Sequence, residues 1–228
     1  PMDLSAIIAG FYARAGIVYL NNGQTGSVTF IGTVSPAGGN LKEPVTESTK
    51  KAARCFYALS QNRADSKRYP AIDTIDSYSK YLEYPEFIEY AKEKLDENWV
   101  EIVSEARNIL IRGKETEEQI NILGDDSVPI DYHITLWKAE LIDFVILQQD
   151  AFDKIDSSTS LERQEYMLKK IIGITRSEFN FESFEEVGIY FKRLINIYRQ
   201  LNYTIYKSEE FYSTEKEADA ILEERIIK

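Results

Sequence analysis

The chain has 228 residues, room for one large domain or two modest ones, and a formal net charge of −11. At 43% hydrophobic and 29% charged residues, the composition is that of a globular protein, and the negative charge argues against nucleic acid as a partner. A single Cys and a single His exclude an internal disulfide framework and a Cys/His zinc site. Neither a membrane-spanning apolar run nor a signal-peptide pattern is present, so the sequence predicts an intracellular, soluble, acidic protein with no metal site.

The charge is distributed unevenly along the chain. Residues 1–80 carry a net charge of +3, and residues 81–228 carry −14. Seven of the 11 Gly and four of the six Pro also lie in the first 80 residues. Frequent Gly and Pro are typical of short elements and turns, whereas their scarcity favours long helices. These patterns predict two domains, 1–80 and 81–228.

The first part has the pattern of a piece of an α/β domain. Its elements, in chain order, are an amphipathic helix ended by Gly16, a β-rich run over 26–34, a helix capped by Thr46 and a short buried strand over 55–59. Two strands and two helices are too few for a doubly wound sheet, which usually has about 4–6 strands. Either the domain is unusually small or the chain begins partway through one, and an initial Pro1 favours the second interpretation.

The second part has the pattern of a helical bundle. Apolar residues at spacings of three, four and seven predict one helix from Pro85 to Arg112, ended by Gly113. Another helix is predicted over roughly 132–149. Four further helix starts are indicated by capping boxes, at Thr116/Gln119, Thr159/Glu162, Ser183/Glu186 and Thr214/Glu217. About six helices and almost no β signal predict an all-α bundle.

Residues that carry chemistry are scarce. The sequence contains neither a G-x-x-x-x-G-K-[ST] phosphate loop nor a G-x-G-x-x-G fingerprint. The one histidine, His133, begins a predicted helix, where a surface or capping role is expected. No catalytic residue is assigned, and the residues alone support only an α/β segment followed by a helical domain.

Several strings of residues, taken in order, resemble one protein family. They are residues 11–16 (FYARAG), 26–46 (GSVTFIGTVSPAGGNLKEPVT), 68–73 (RYPAID) and 148–152 (QQDAF). Together they resemble the catalytic, A-type subunit (alpha chain) of V/A-type rotary ATPases and ATP synthases. The resemblance spans essentially the whole chain and corresponds to the C-terminal portion of that catalytic subunit. Asn40-Leu41-Lys42 departs from the usual Asp-aromatic-Ser, and Tyr69 stands where the family often has Phe.

The resemblance implies a fold and a function. The fold would be an α/β remnant of a RecA-like P-loop nucleotide-binding core followed by an all-α C-terminal helical bundle. The complete catalytic subunit would bind ATP or ADP with Mg²⁺ and couple ATP synthesis or hydrolysis by rotation to proton or sodium transport. Because the phosphate loop and catalytic Glu would lie upstream of Pro1, this chain alone is expected to be inactive and to bind no nucleotide tightly.

The resemblance also implies partners and a location. A non-catalytic, B-type subunit would alternate with the catalytic one in a hexamer that contacts a central stalk and a peripheral stalk. The complex would sit on the cytoplasmic side of a membrane, with no nucleic acid and no membrane insertion by this chain.

Two sets of site residues are carried over by position in the motifs. Tyr69 and Phe152, with Ala151 beside them, match the residues that hold adenine between two aromatic rings, and the domain division places one ring in each domain. Asp125, Asp126 and Asp131 resemble the acidic helix–turn–helix that contacts the central stalk. Ordinary packing for the aromatics and an exposed loop for the acids are the alternatives.

Two other interpretations of the whole chain stay open at this point. One is a stand-alone helical interaction module with a vestigial α/β segment. The other is a divergent export-type or F-type ATPase segment, against which the Gly38-Gly39 loop and residues 148–152 argue.

Overall fold

The computed structural model describes residues 3–227, which form two compact units. The N-terminal unit comprises residues 3–57 and 77–83, and the helical unit comprises residues 58–76 and 84–227. The sequence therefore crosses between units three times. Residues 58–76, which the sequence division assigned to the first domain, belong to the helical unit. The boundary near residues 80–85 stays a prediction.

The N-terminal unit is a small α/β arrangement. Helix α1 (Leu4–Tyr12) packs against α2 (Pro44–Ala52). Strands β1 (Gly16–Tyr19) and β2 (Thr25–Val28) form an antiparallel hairpin in which Gly16 pairs with Val28 and Tyr19 with Thr25. The strand predicted over 26–34 is thus paired only at its beginning.

Two further features of the N-terminal unit differ from the sequence predictions. Helix α2 is capped by Glu43, whose carboxylate accepts hydrogen bonds from the amide and hydroxyl of Thr46 at 2.7 Å each. Strand β3 (Cys55–Phe56) pairs antiparallel with β4 (Tyr78–Ser79), so the strand predicted over 55–59 is shorter than expected.

The helical unit contains, among the described residues, one short helix and six longer ones. They are α3 (Gln61–Asp65), α4 (Pro85–Lys94), α5 (Trp99–Leu123), α6 (Ile130–Ile142), α7 (Leu161–Arg176), α8 (Phe184–Asn202) and α9 (Glu209–Glu223). A π-helical turn, Asp143–Leu147, continues α6. The prediction of about six helices in the second part is confirmed.

The predicted helix ends were less accurate than the helices themselves. The helix predicted from Pro85 to Arg112 breaks at Leu95, whose backbone has left the helical region, and the second segment continues through Gly113. The cap at Ser183 is confirmed, because its hydroxyl accepts the amide of Glu186. The cap predicted at Thr159 is one residue early, since Ser160 caps α7. The caps predicted at Thr116 and Thr214 were wrong, because both residues lie inside helices.

An aromatic cluster fills the core of the helical unit. Phe191 on α8 is fully buried and lies 5.3 Å from Phe179, 5.4 Å from Tyr190 and 6.4 Å from Trp137, between ring centroids. Apolar residues of α5, α6, α7 and α9 pack around this cluster. Burial of such rings contributes apolar area and ring–ring contacts together, so we expect this cluster to contribute strongly to stability.

Helices α5 and α6 approach one another closely at Gly113. A Cβ atom placed on Gly113 would lie 2.2 Å from the Cβ of Ala139. Gly113 therefore permits a helix crossing and does not end a helix, although an isolated Gly in a helix ordinarily costs about 1 kcal/mol relative to Ala.

Replacing Gly113 with Ala is expected to lower the free energy of unfolding by about 1–3 kcal/mol, because overpacking outweighs the gain in helix propensity. Gly173, at an exposed position of α7 with open space around it, is the matched control, and Gly173→Ala should leave stability unchanged or raise it by up to about 1 kcal/mol. Urea unfolding followed by tryptophan fluorescence measures both variants. Trp99 and Trp137 are the two tryptophans of the sequence and both lie in the helical unit. A stabilising Gly113→Ala change would contradict the close approach.

Candidate functional site

A hydrogen bond brings together the two motifs that were predicted to form a base pocket. The amide of Gln149 donates to the carbonyl oxygen of Tyr69 at 2.9 Å. Tyr69 precedes a cis peptide bond to Pro70, and the 148–152 loop follows the π-helical turn at the end of α6. Both segments belong to the helical unit, so the expectation of one aromatic residue from each domain does not describe this arrangement.

The two motifs line an open cavity of about 530 Å³. Its lining includes all three predicted residues, Tyr69, Ala151 and Phe152, and side chains from the end of α8. The Tyr69 side chain is half-exposed, and that of Phe152 is 99% exposed. The ring of Phe152 is therefore almost entirely accessible from the solvent.

The loop that carries Phe152 is held in place by its own acidic side chains. The amide of Asp150 donates to the carboxylate of Asp156 at 2.6 Å, and the amide of Phe152 donates to the carboxylate of Asp150 at 2.9 Å. Gln149 adds a side-chain hydrogen bond to the carbonyl of Asp156 at 2.6 Å. Burial raises the pKa of Asp156, although the hydrogen bond from Asp150 opposes that change. The exposed ring thus projects from an ordered loop.

Phe144 on the cavity wall contacts two guanidinium groups. The Arg68 guanidinium lies 4.7 Å from the Phe144 ring centroid, and that of Arg199 lies 5.8 Å from it. Phe144 and Arg199 both line the cavity. Cation–π contacts of this kind fix the positions of long arginine side chains.

A network of charged residues next to the cavity joins residues 63–68 to α6. Arg68 makes a bidentate pair with Glu140 at 2.9 Å for each bond and also contacts Asp143 at 2.7 Å. Arg63 contacts the other oxygen of Asp143 at 2.8 Å. This arrangement fixes the segment that leads directly into Tyr69.

The pKa values of Arg68 and Glu140 in this network depend on both burial and ion pairing. Burial lowers the pKa of Arg68, but the hydrogen bonds and charges of Glu140 and Asp143 outweigh burial, so the pKa lies above its ordinary value. Burial raises the pKa of Glu140, and Arg68 opposes that rise. Arg68 therefore stays charged, and its ion pairs with Asp143 and Glu140 lie next to the cavity.

Several cavity residues escaped the sequence analysis. Gln148 lies within the 148–152 motif and could have been included, but Phe144, Arg199 and Asn202 carried no signal of their own. Asn202 is separated from the 148–152 loop by about fifty residues, and only the packing of α8 brings it to the cavity.

The acidic turn lies between α5 and α6. Asp125 and Asp126 occupy a short 3₁₀ turn, Asp131 lies in the first turn of α6, and all three are exposed. His133 is buried against this turn, with its Nε2 atom 3.1 Å from the carbonyl oxygen of Asp125 and its ring stacked 5.0 Å from that of Phe184. The predicted surface role of His133 was wrong, because tertiary packing covers the ring.

The side chains that line the cavity include aromatic, amide and cationic groups. The exposed rings of Tyr69 and Phe152 suit contact with a planar group, and the lining has one guanidinium group, that of Arg199. Within residues 3–227, no group of three or more His, Cys, Asp or Glu side chains is placed to hold a metal ion.

Comparisons with known proteins define the class to which the chain belongs. Residues 1–79 match the model of the nucleotide-binding domain of the ATP synthase alpha/beta family. Residues 88–181 match the model of the C-terminal domain of V and A type ATP synthase. The chain belongs to the ATP synthase alpha/beta family, in its V and A type branch.

Individual relatives make the assignment more specific. The chain is 41% identical over 215 residues to a V-type ATP synthase alpha chain of Treponema denticola, covering 94% of this chain and 34% of the relative. It is 39% identical over 215 residues to the V-type ATP synthase alpha chain of Borrelia duttonii, covering 94% of this chain and 35% of the relative. The chain thus spans about a third of the length of the curated relatives it matches.

A solved structure shares the fold. It is described as that of a unique ATP synthase subunit NeqB from Nanoarcheaum equitans, with a TM-score of 0.56 and 22% sequence identity. The match covers 78% of this chain and 41% of that one.

Among the described residues, no helix combines the length and apolar character needed to cross a membrane.

Proposed function

We propose that this chain supplies the base pocket and the rotor-facing end of the catalytic subunit of a V/A-type ATP synthase or ATPase. In this proposal Tyr69, Ala151 and Phe152 hold the adenine of ATP or ADP. The nucleotide-binding part of the chain belongs to a RecA-like P-loop core. The complete complex couples ATP synthesis or hydrolysis to proton or sodium transport by rotation.

The observation that carries the proposal is the fully exposed Phe152 ring beside Tyr69 on one cavity. The 2.9 Å hydrogen bond between Gln149 and Tyr69 ties the two motifs together, and both aromatic residues line the same cavity. A purine held between aromatic faces gains apolar burial and about 0.5–1.5 kcal/mol per ring pair beyond area. The match of both parts of the chain to models of one family favours this proposal over a stand-alone interaction module.

The phosphate chemistry is assigned to residues outside this sequence. Phosphoryl transfer requires groups that hold the β- and γ-phosphates and Mg²⁺, and the sequence contains no phosphate-loop motif. The chain alone is accordingly proposed to hydrolyse no ATP and to bind nucleotide weakly, through the base.

The partners follow from the same proposal. The non-catalytic, B-type subunit would complete each catalytic site in an alternating hexamer, and a peripheral stalk would hold that hexamer. Asp125, Asp126 and Asp131 would face a central stalk protein with a basic surface. The complex would lie on the cytoplasmic side of a membrane.

Replacing Phe152 with Ala is expected to abolish base contact without changing stability, because the ring is 99% exposed. Titration of ADP followed by NMR of its adenine protons should show an at least roughly tenfold higher Kd in the variant than in the unmodified chain. A tenfold change in Kd corresponds to about 1.4 kcal/mol of binding free energy, which is within the range for base–aromatic stacking. The matched control is Tyr19→Ala, which removes a 79% exposed aromatic ring from the other unit. Equal Kd values in the two variants would remove the basis of the proposal.

Reversing the charge of the acidic turn is expected to lower the number of ions pumped per ATP hydrolysed. The variant carries Lys at positions 125, 126 and 131 and is assembled in the complete complex in vesicles. ATP hydrolysis and ion uptake are measured together, because a weakened rotor contact uncouples the two. The control reverses three exposed acids on other surfaces, Glu89, Glu97 and Glu217. Unchanged coupling in the first variant, or an equal loss in both, would contradict the stalk contact.

A further inference from the structure

Arg163, near the start of α7, is a buried cation that caps another helix. Only 4% of its surface is exposed. Its guanidinium donates from Nη1 to the carbonyl oxygen of Thr204 at 3.0 Å and from Nη2 to the carbonyl oxygen of Leu201. These carbonyls lie at the C-terminal end of α8, where backbone oxygens lack helical partners and carry partial negative charge. Arg163 therefore fixes the end of α8 through both hydrogen bonds and charge.

The segment that Arg163 holds carries part of the cavity lining. Asn202 and Tyr203 both line the cavity, and they lie between the two carbonyls that accept from Arg163. Arg163 itself is not among the residues that line the cavity. Any influence of Arg163 on this part of the lining is therefore exerted through the backbone at the end of α8.

The charge of Arg163 also acts on the loop that carries Phe152. Asp156 is 5% exposed, and its carboxylate accepts the amide of Asp150 at 2.6 Å. Burial raises the pKa of Asp156, and the hydrogen bond from Asp150 and the charge of Arg163 oppose that rise. Burial lowers the pKa of Arg163, and the charge of Asp156 is the first of the charges that oppose this change. Each of the two buried charges therefore reduces the cost of burying the other.

Loss of the Arg163 charge would leave Asp156 buried without this compensation. An uncompensated buried carboxylate takes up a proton or moves towards water, and either change weakens its hydrogen bond to the Asp150 amide. The carboxylate of Asp150 in turn accepts the amide of Phe152 at 2.9 Å. A change at Arg163 is therefore expected to reach the Phe152 ring through two hydrogen bonds.

We propose that Arg163 is a positioning residue of the cavity, which holds the end of α8 directly and the Phe152 loop through Asp156. The inference rests on the proposed nucleotide site and adds to it a residue that does not line the cavity. Arg68 fixes the segment that leads into Tyr69, so the two arginines hold different parts of the same lining.

The test replaces Arg163 with Met, which removes the charge and keeps an unbranched side chain. In the full chain, the Kd for ADP, measured by NMR titration of the adenine protons, is expected to rise about tenfold, as for the loss of a charged hydrogen bond. Hydrogen exchange of the Asp150 amide, measured without nucleotide, should also become about tenfold faster. Arg163→Lys keeps the cation at the end of α8 and should hold both values within about threefold of the unmodified chain.

The matched control is Arg193→Met on α8. Arg193 is exposed and pairs with Glu224 at 3.0 and 3.1 Å, so its replacement should change neither the Kd for ADP nor the exchange rate. Equal changes in this variant and in Arg163→Met would overturn the inference.

A second background separates charge compensation from packing. Asp156→Asn keeps an acceptor for the Asp150 amide but carries no charge. In that background, Arg163→Met should accelerate exchange of the Asp150 amide by less than about threefold, because no buried carboxylate is left to lose its compensation. The same acceleration in both backgrounds would overturn the link through Asp156, since a merely structural role of Arg163 does not depend on that charge.

The outcomes separate this inference from the proposed function. An unchanged Kd for ADP in Arg163→Met would overturn the inference and leave the nucleotide site standing. If Arg163→Met does not fold, Arg163→Lys decides, because a tenfold loss of ADP binding despite the retained charge would overturn the inference. Absence of ADP binding by the unmodified chain would overturn the proposed function, and the exchange rates, which need no nucleotide, would then decide whether Arg163 positions the loop.

Discussion

Replacing Phe191 with Ala is expected to lower the free energy of unfolding of the helical unit by about 3–5 kcal/mol. The ring is fully buried and touches aromatic side chains from α6, α8 and the segment before α8, so its removal leaves a cavity that no single neighbour can fill. Urea unfolding followed by the fluorescence of Trp99 and Trp137 reports this unit alone, because both tryptophans lie in it.

The control for this variant lies two positions away on the same helix. Ile189 is 64% exposed, so Ile189→Ala should change the free energy of unfolding by no more than about 0.5 kcal/mol. A loss below about 1.5 kcal/mol in Phe191→Ala would show that the aromatic cluster repacks and is not the main source of stability.

Replacing Asp143 with Asn is expected to cost about 3–5 kcal/mol, the range for removing one partner from a buried ion pair. Asp143 is 4% exposed and holds both Arg63 and Arg68. Arg68 keeps Glu140 in the variant, whereas Arg63 is left with no carboxylate among its ion pairs in the described residues.

The same unfolding measurement tests this variant, with Asp126→Asn as the control. Asp126 is an exposed carboxylate on the acidic turn, and its replacement should change stability by no more than about 0.5 kcal/mol. A small effect of Asp143→Asn, comparable to that of the control, would mean that the network orders residues 63–68 without stabilising the unit.

The sequence predicted which segments are helical but placed the ends of those helices poorly, and the difference has a physical reason. The cap at Ser183 depends on residues three positions apart, so local chemistry identifies it. Thr116 has the same local pattern but lies in mid-helix, because tertiary packing of α5 on α6 extends the helix to Leu123. The prediction that Gly113 ends a helix was wrong for a related reason. Its role is set by Ala139, which is 26 residues away, and no local signal reports that contact.

Part of the candidate site could be predicted from local sequence motifs, and the rest depends on tertiary packing. Tyr69, Ala151 and Phe152 lie in strings that resemble a family, and the structure brings all three to one cavity. Their role in binding adenine stays a proposal. The polar groups beside them, Asn202 above all, depend on how the end of α8 packs against the π-helical turn. The burial of His133 likewise depends on Phe184, which no pattern around residue 133 reveals.

Helix α6 and the π-helical turn that follows it form one continuous, stiff rod. The helical backbone runs from Ile130 to Leu147, with the acidic turn before its first residue and the Gln148–Phe152 loop after its last. At about 1.5 Å per residue these 18 residues form a rod roughly 25 Å long. A hydrogen-bonded helix resists compression along its axis, whereas an irregular loop bends. The rod therefore links the acidic turn to the Gln148–Phe152 loop through a stiff element, and the Gly113–Ala139 contact holds it against α5.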